Sequence, residues 1–388
     1  MITRAIVDLQ DVQVVDNHCH AVERRAAQLD GNSWRALFSE SPDRYMQTVN
    51  VADTVFYQRL ITALADFHDV PATEAAVLGA RAAYDEAELT GRLLSDARIG
   101  ALVLDTGFPD PQHALSVAEM AGAAGCETVG LLRLEVLFQR LVVEHERYDA
   151  VVEELRAALT GLRGKGYAGF KSIVAYRTGL DIARWSPAET QAAFAAARHE
   201  VSSSGAVRLG FAPLLDSLLH IAFEIAAAEE LPVQFHVGYG DPDADLRRAN
   251  PLELRSILEE PAYRSMPVVL LHSCWPFVRE GAYLAAVYGN AYLDLSYGIP
   301  FLSRQEMRAA TRAALAAAPT SKLMYSSDGV WVPELHWLAA HDGRLLLGQV
   351  LAELVEDGDL TPAQARAAGE QVLRDNATAL YGLVGSYR

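Results

Sequence analysis

The sequence predicts an α/β fold, a (β/α)8 barrel with a helical insertion after its first strand. Three observations carry this. Short, β-branched, near-continuously apolar runs recur along the chain, as expected of strands covered on both faces. Stretches with helical periodicity lie between them. There are eight such runs in the 388 residues, and strand–helix alternation repeated eight times points to a closed parallel barrel. An open doubly wound sheet is the rival arrangement, but no GxGxxG follows the first run to support a dinucleotide site there.

In chain order the runs are Val12–Asp16, Ala101–Asp105, Thr128–Glu135, Gly169–Val174, Pro232–His236, Pro267–His272, Ala291–Leu295 and Lys322–Ser326. Ahead of the fourth, Leu155, Leu159 and Leu162 fall on one helix face. Ahead of the fifth, Leu214, Leu215, Leu218, Leu219, Ala222 and Ile225 do the same. The connection after the first run is too long for a single barrel helix. Over about residues 31–98 it inserts one amphipathic helix marked by Phe56, Leu60, Ile61, Leu64 and Phe67, and another over Ala72–Leu94. An insertion at that point emerges at the C-terminal face of the barrel, where active sites sit. A lid over the site and an ornament of the outer layer are both open readings. After Asp328 the chain continues as helices, ending at Ala377–Tyr381. No repeat, low-complexity tract or linker divides it, so residues 1–388 read as a single domain.

Composition narrows the function classes. Hydrophobic residues are 51% and charged residues 21%, a globular balance. Lys+Arg 33 against Asp+Glu 50 gives a net charge of −17, a poor match to phosphate backbones or anionic membrane. No apolar run approaches the roughly 18 residues of a membrane helix, and the start of the chain lacks a signal-peptide core. The three cysteines form no CxxC pair, which argues against a disulfide framework and a thiolate zinc knuckle. The expectation is a cytoplasmic protein acting on a small-molecule substrate, without nucleic-acid or membrane partners. Homo-oligomerisation is left open.

Metal-capable side chains gather at the strand ends. The first run leads into His18-Cys19-His20, the fourth carries Lys171, the fifth ends in His236, the sixth in His272, and the eighth is followed by Asp328. Parallel barrel strands all present their C-terminal ends at one rim. His18 and His20, two apart on an extended chain, point to the same face and can reach one ion, while Cys19 points the other way as a small core residue. Imidazole and carboxylate without thiolate suit one or two divalent transition metals, Zn²⁺ first and Mn²⁺ or Fe²⁺ next. Such an ion makes hydroxide available near neutral pH, and a carboxylate beside it can move the proton, a role that suits Asp328. Asp16 either orients a ligand or caps a turn. The histidines at 68, 113, 145, 199, 220, 336 and 341 read as structural or solvent-facing.

These segments resemble the amidohydrolase superfamily. The likeness is carried by DNHCH (Asp16–His20), GFK (Gly169–Lys171), FHVG (Phe235–Gly238), LLHS (Leu271–Ser273) and YSSDG (Tyr325–Gly329). The closing RDNATALYGL (Arg374–Leu383) resembles the end of the amidohydrolase-2 group. GFKSIVAYRTGL (Gly169–Leu180) is similar to predicted hydrolases related to the N-terminal half of FluG-type proteins. The resemblance implies His18, His20 and Asp328 on a first metal, and His236 and His272 on a second where two are present. In two-metal relatives a lysine at the position of Lys171 is carboxylated and bridges the ions. The alternative is an unmodified Lys171 paired with an acid. In single-metal relatives His272 hydrogen-bonds the substrate, so His272 stands beside Asp328 as a catalytic candidate.

Substrate contacts are sought near the same strand ends. Arg177, after Tyr176, can clamp a carboxylate with its planar fork or form a loop salt bridge. Arg133 and Glu135 can bind an α-amino-acid group or neutralise each other. Trp275 lines the pocket or packs beneath a loop. The activity implied is hydrolysis of an amide C–N bond, of a γ-glutamyl or related amino-acid amide. Lactone hydrolysis, aromatic-acid decarboxylation and a catalytically silent metal-binding barrel are the alternatives.

Overall fold

A computed structural model of the chain describes residues 6–24 and 29–384. Its strands are β1 (Val14–His20), β2 (Ile99–Asp105), β3 (Glu127–Arg133), β4 (Tyr167–Ser172), β5 (Val233–Phe235), β6 (Val268–Leu270), β7 (Ala291–Ser296) and β8 (Leu323–Ser326). They succeed one another in chain order in one sheet. Neighbours run parallel, with registers such as His20 opposite Asp105 and Lys171 opposite Gln234. Past its end, β8 returns beside β1. The Asp328 N–H donates to the His18 carbonyl at 3.0 Å, and the His20 N–H donates to the Gly329 carbonyl at 2.7 Å. Eight parallel strands in a nearly closed ring, interleaved with helices, are the (β/α)8 barrel that the sequence predicts.

The chain falls into two compact units: Met1–Thr128 with Gly240–Pro242 and Asp294–Arg388, and Val129–Tyr239 with Asp243–Leu293. The first holds β1, β2, β8, the insertion and the closing helices. Its strands are buried almost throughout, and Val14, Val15, Val103, Leu323 and Met324 are fully enclosed. The insertion is pinned to the long helix Pro333–Glu356 by buried charge pairs. Arg81 Nε donates to Glu334 Oε1 at 2.6 Å, and Arg59 Nε lies 3.1 Å from Asp342 Oδ2. Trp337 Nε1 donates to Asp96 at 2.7 Å. The second unit carries β4, β5 and β6 with the apolar helix Ala212–Ala228, whose Leu214, Leu215, Leu218, Leu219 and Ala222 are all buried as their spacing predicts. No helix among the described residues is long and apolar enough to cross a membrane.

The element boundaries differ from the sequence expectation at informative places. The first strand runs to His20, not Asp16, because the polar residues Asp16, Asn17, His18 and His20 are buried within it. Ala72–Leu94 is two helices, Glu74–Arg81 and Glu86–Asp96. Asp85 starts the second by accepting from the Glu88 N–H, as an N-cap does. The third strand stops at Arg133. Leu134 prolonged its apolar pattern but opens the helix Leu134–Glu144, so Glu135 sits in a helical first turn and not at a strand end. Leu162 lies in a 3-10 turn beyond the helix Tyr148–Leu159. His236 and His272 stand just after β5 and β6. His272, Ser273 and Cys274 all take left-handed backbone, with φ of 61°, 53° and 51°. The turn after β5 depends on Gly238, where a Cβ would stand 2.1 Å from the Trp275 carbonyl oxygen.

Candidate metal centre

In the first unit, β1 and the turn after β8 bring three donor atoms together. Asp328 Oδ1 lies 3.4 Å from His18 Nε2 and 3.6 Å from His20 Nε2. The two imidazoles cross edge to face at 5.0 Å between centroids. His20 Nδ1 lies 3.1 Å from the Phe108 carbonyl, which can only accept. The proton is therefore on Nδ1, and the Nε2 lone pair is presented toward Asp328. Donors about 2.1 Å from a shared tetrahedral Zn²⁺ stand roughly 3.4 Å apart, so this spacing fits one ion held by two imidazoles and a carboxylate. Cys19 faces away, with its Sγ 3.7 Å from the Val103 carbonyl. Burial pushes its thiol well above the ordinary range, as befits an inert core residue.

Buried groups surround these three donors. Asp16 accepts from the Ser327 N–H at 2.8 Å and from the Ser327 hydroxyl. Burial pushes the Asp16 carboxyl up to about 7 against the lowering effect of those two bonds. His336, on the helix after β8, lies with Nε2 3.2 Å from the His20 carbonyl, and burial holds it at about 4, hence neutral. A Cβ at Gly329 would meet the His336 ring at 2.5 Å, so glycine is required there. Phe108 packs edge-on against His20 at 5.6 Å and against Trp331 at 4.8 Å, making an aromatic wall beside the donors. Glu40, from the insertion, feels the charge of Asp328. Burial first, then the charges of Asp328 and Asp241, push its carboxyl up to about 7.

Sequence reasoning singled out none of His336, Phe108, Trp331, Ser327 or Glu40 as site residues. His336 sits on a helix with no motif of its own. The signal for Ser327 was its place inside YSSDG. Trp331, a bulky residue at φ 67°, gave no sequence signal at all.

In the second unit, the other candidates gather at the ends of β4, β5 and β6. The His236 and His272 rings lie 4.3 Å apart, with Tyr176 4.3 Å from His236 and Tyr239 5.4 Å from His272. His236 Nε2 is 2.6 Å from the Tyr239 carbonyl, which fixes the proton there and leaves the lone pair on Nδ1. Lys171 is buried near the end of β4, in register with Arg133 and Gln234. Glu135 is fully buried and accepts from the Ser172 hydroxyl at 2.7 Å through Oε1, while its Oε2 has no hydrogen-bond partner. Burial raises the Glu135 carboxyl, and Arg133 pulls the other way. Burial lowers Arg177, opposed by the charge of Glu135, and the Arg177 Nε is also without a hydrogen-bond partner. Trp275 is half-buried, and its carbonyl accepts from the Tyr239 N–H at 2.9 Å.

A 222-residue stretch is 36% identical to Protein fluG of Emericella nidulans, covering 55% of this chain and 25% of that protein. The chain thus spans about a quarter of the length of the curated relative it matches. The crystal structure of a protein from Lactobacillus casei assigned as a metal-dependent hydrolase superposes with a TM-score of 0.86 at 26% identity, covering 97% of this chain and 98% of that one. A uronate isomerase from Thermotoga maritima shares the fold, with a TM-score of 0.66 at 14% identity over 96% of this chain and 95% of its own. The amidohydrolase family model matches residues 15–383, nearly the whole chain, and the chain belongs to that family.

Proposed function

We propose that this protein is a metal-dependent enzyme that hydrolyses an amide C–N bond, with a γ-glutamyl or related amino-acid amide as substrate and Zn²⁺ as the metal. The observation that carries the reading is the convergence of Asp328 Oδ1 on His18 Nε2 and His20 Nε2 at 3.4 and 3.6 Å. His18, His20 and Asp328 would hold the first ion, and Lys171, His236 and His272 a second. A bound ion supplies Lewis-acid polarisation and a nucleophile at neutral pH. Asp328 takes the proton of the attacking water and returns it to the departing amine nitrogen. Where a single ion is held, His272 hydrogen-bonds the substrate instead.

The second unit supports recognition of an amino-acid portion. Arg177 and Glu135 are electrostatically coupled, opposite in charge, and each keeps a buried polar atom without a hydrogen-bond partner. The guanidinium suits an α-carboxylate and the carboxylate an α-ammonium, with Tyr176, Arg133 and Trp275 as further candidate contacts. A panel of γ-glutamyl amides, lactones and aromatic acids tests this. Turnover confined to lactones or aromatic acids overturns amide cleavage, and no turnover by metal-loaded protein favours a silent barrel.

Two further outcomes are expected. Protein purified without chelator carries stoichiometric transition metal by elemental analysis. His18→Ala and His20→Ala each lower that content sharply while the circular dichroism of the barrel persists, because rim ligands contribute little to its apolar core. Wild-type protein without metal, and without activation by Zn²⁺ or Mn²⁺, rejects the centre. Lys171 is expected to be carboxylated, since a carbamate supplies two anionic oxygens where an ammonium would be repelled by divalent ions. Lys171→Ala then loses the second metal, and added short carboxylic acids partly restore activity. A bare amine in the electron density of a fully metallated crystal rejects the carbamate.

A further inference from the structure

The turn that carries Asp328 is held unusually firmly for a loop residue. Asp328 has φ of 53°, a left-handed conformation uncommon outside glycine, though Asp tolerates it better than most residues. The peptide groups on each side are tied in sequence. The Ser327 N–H donates to Asp16 Oδ1 at 2.8 Å, and the Ser327 hydroxyl donates to Asp16 Oδ2. The same Ser327 oxygen accepts from the Gly329 N–H at 2.8 Å, bridging across Asp328. The Asp328 N–H goes to the His18 carbonyl at 3.0 Å, and the Gly329 carbonyl accepts from the His20 N–H at 2.7 Å. Asp16 and Ser327 are fully buried, so water does not compete for these bonds.

We infer that Asp16 and Ser327 form a clasp that imposes the left-handed turn at Asp328 and so aims its carboxylate at the Nε2 atoms of His18 and His20. They are positioning residues that act through Asp328. The clasp couples the two strands that supply the donors. Asp16 lies on β1 two residues before His18, and Ser327 directly precedes Asp328. One buried carboxylate thereby sets the backbone of one donor relative to the strand that carries the other two. Without the Ser327 hydroxyl, the Gly329 N–H loses its acceptor and Asp16 loses one of its donors. The turn can then relax toward right-handed backbone, which swings the Asp328 carboxylate off the two nitrogens.

The inference rests on the metal-centre reading, and its test separates the two. Metal-free full-length protein is titrated with Co²⁺, reading the dissociation constant and the visible absorption of the bound ion, with folding followed by circular dichroism. Ser327→Ala and Asp16→Ala are expected to weaken Co²⁺ binding by about 10–100-fold, the usual consequence of losing a group that orients a ligand, and to alter the visible band. Asp16→Asn keeps an oxygen for the Ser327 N–H and is expected to recover most of the affinity. Ser326→Ala serves as the control. Its hydroxyl donates to Asp294 at 2.6 Å, so the variant removes a buried hydrogen bond one residue away without touching the Asp328 turn. It should bind Co²⁺ as the wild type does.

Folded Ser327→Ala and Asp16→Ala variants that both match the wild-type affinity and band overturn the clasp, and so does equal weakening by Ser326→Ala. Wild-type protein that takes up no Co²⁺ overturns instead the metal reading beneath it.

Discussion

Asp328→Asn is expected to lower turnover by about 10²–10⁴ on whichever substrate of the panel the wild type cleaves, while metal content stays largely in place. The amide keeps the shape and an oxygen able to ligate, but it cannot accept the proton of the attacking water. Loss of the general base with ligation preserved separates Asp328's two roles. The competing role for an aspartate at such a position is helix capping, and the geometry does not favour it. The next helix begins at Pro333 behind Val332, with no side-chain cap. Steady-state kinetics on metallated, folded variant decides the matter. Near wild-type turnover would reject the proton-transfer role.

Asp342→Ala is expected to destabilise the fold by about 3–5 kcal/mol, measured by urea unfolding. Asp342 is fully buried on the helix after β8. It accepts from Arg304 Nε at 2.7 Å and lies 3.1 Å from Arg59 Nε of the insertion. Burial already lowers the pKa of Arg59, and the Asp342 charge offsets this. Removing the carboxylate leaves that guanidinium buried without its counter-charge, which costs more than the loss of one contact. A change below about 1 kcal/mol would mean that the pair behaves as an exposed one.

How much of this was legible follows from what each residue does. The apolar runs read correctly as strands because parallel strands covered on both faces carry an unbroken hydrophobic signature. The first strand was cut short at Asp16 for the converse reason. Its last residues, Asp16, Asn17, His18 and His20, are polar yet buried, and a hydrophobicity pattern treats them as loop. Glu135 was misplaced because Leu134 satisfies strand and helix alike. The two His residues of β1 and Asp328 were legible, since strand alternation and strand ends are local rules. The partners of those residues were not. His336 reaches the His20 carbonyl and Phe108 offers its carbonyl to His20 Nδ1 through contacts between distant segments, which no local spacing encodes.

The first-unit donors lie at the two extremes of the chain, His18 and His20 near the start and Asp328 near the end. Synthesis therefore delivers the imidazoles some three hundred residues before the carboxylate that completes the set. Until then the proposed first site can offer an ion only the histidine pair, and its full ligand set awaits the pairing of the last strand with the first. Contacts of such long range form late, because loop-closure entropy must be overcome before they give any return. Metal capture then belongs to the end of folding and rewards ring closure directly. At a hundredfold excess over its dissociation constant, an ion that binds only the closed form adds about 2.7 kcal/mol to it.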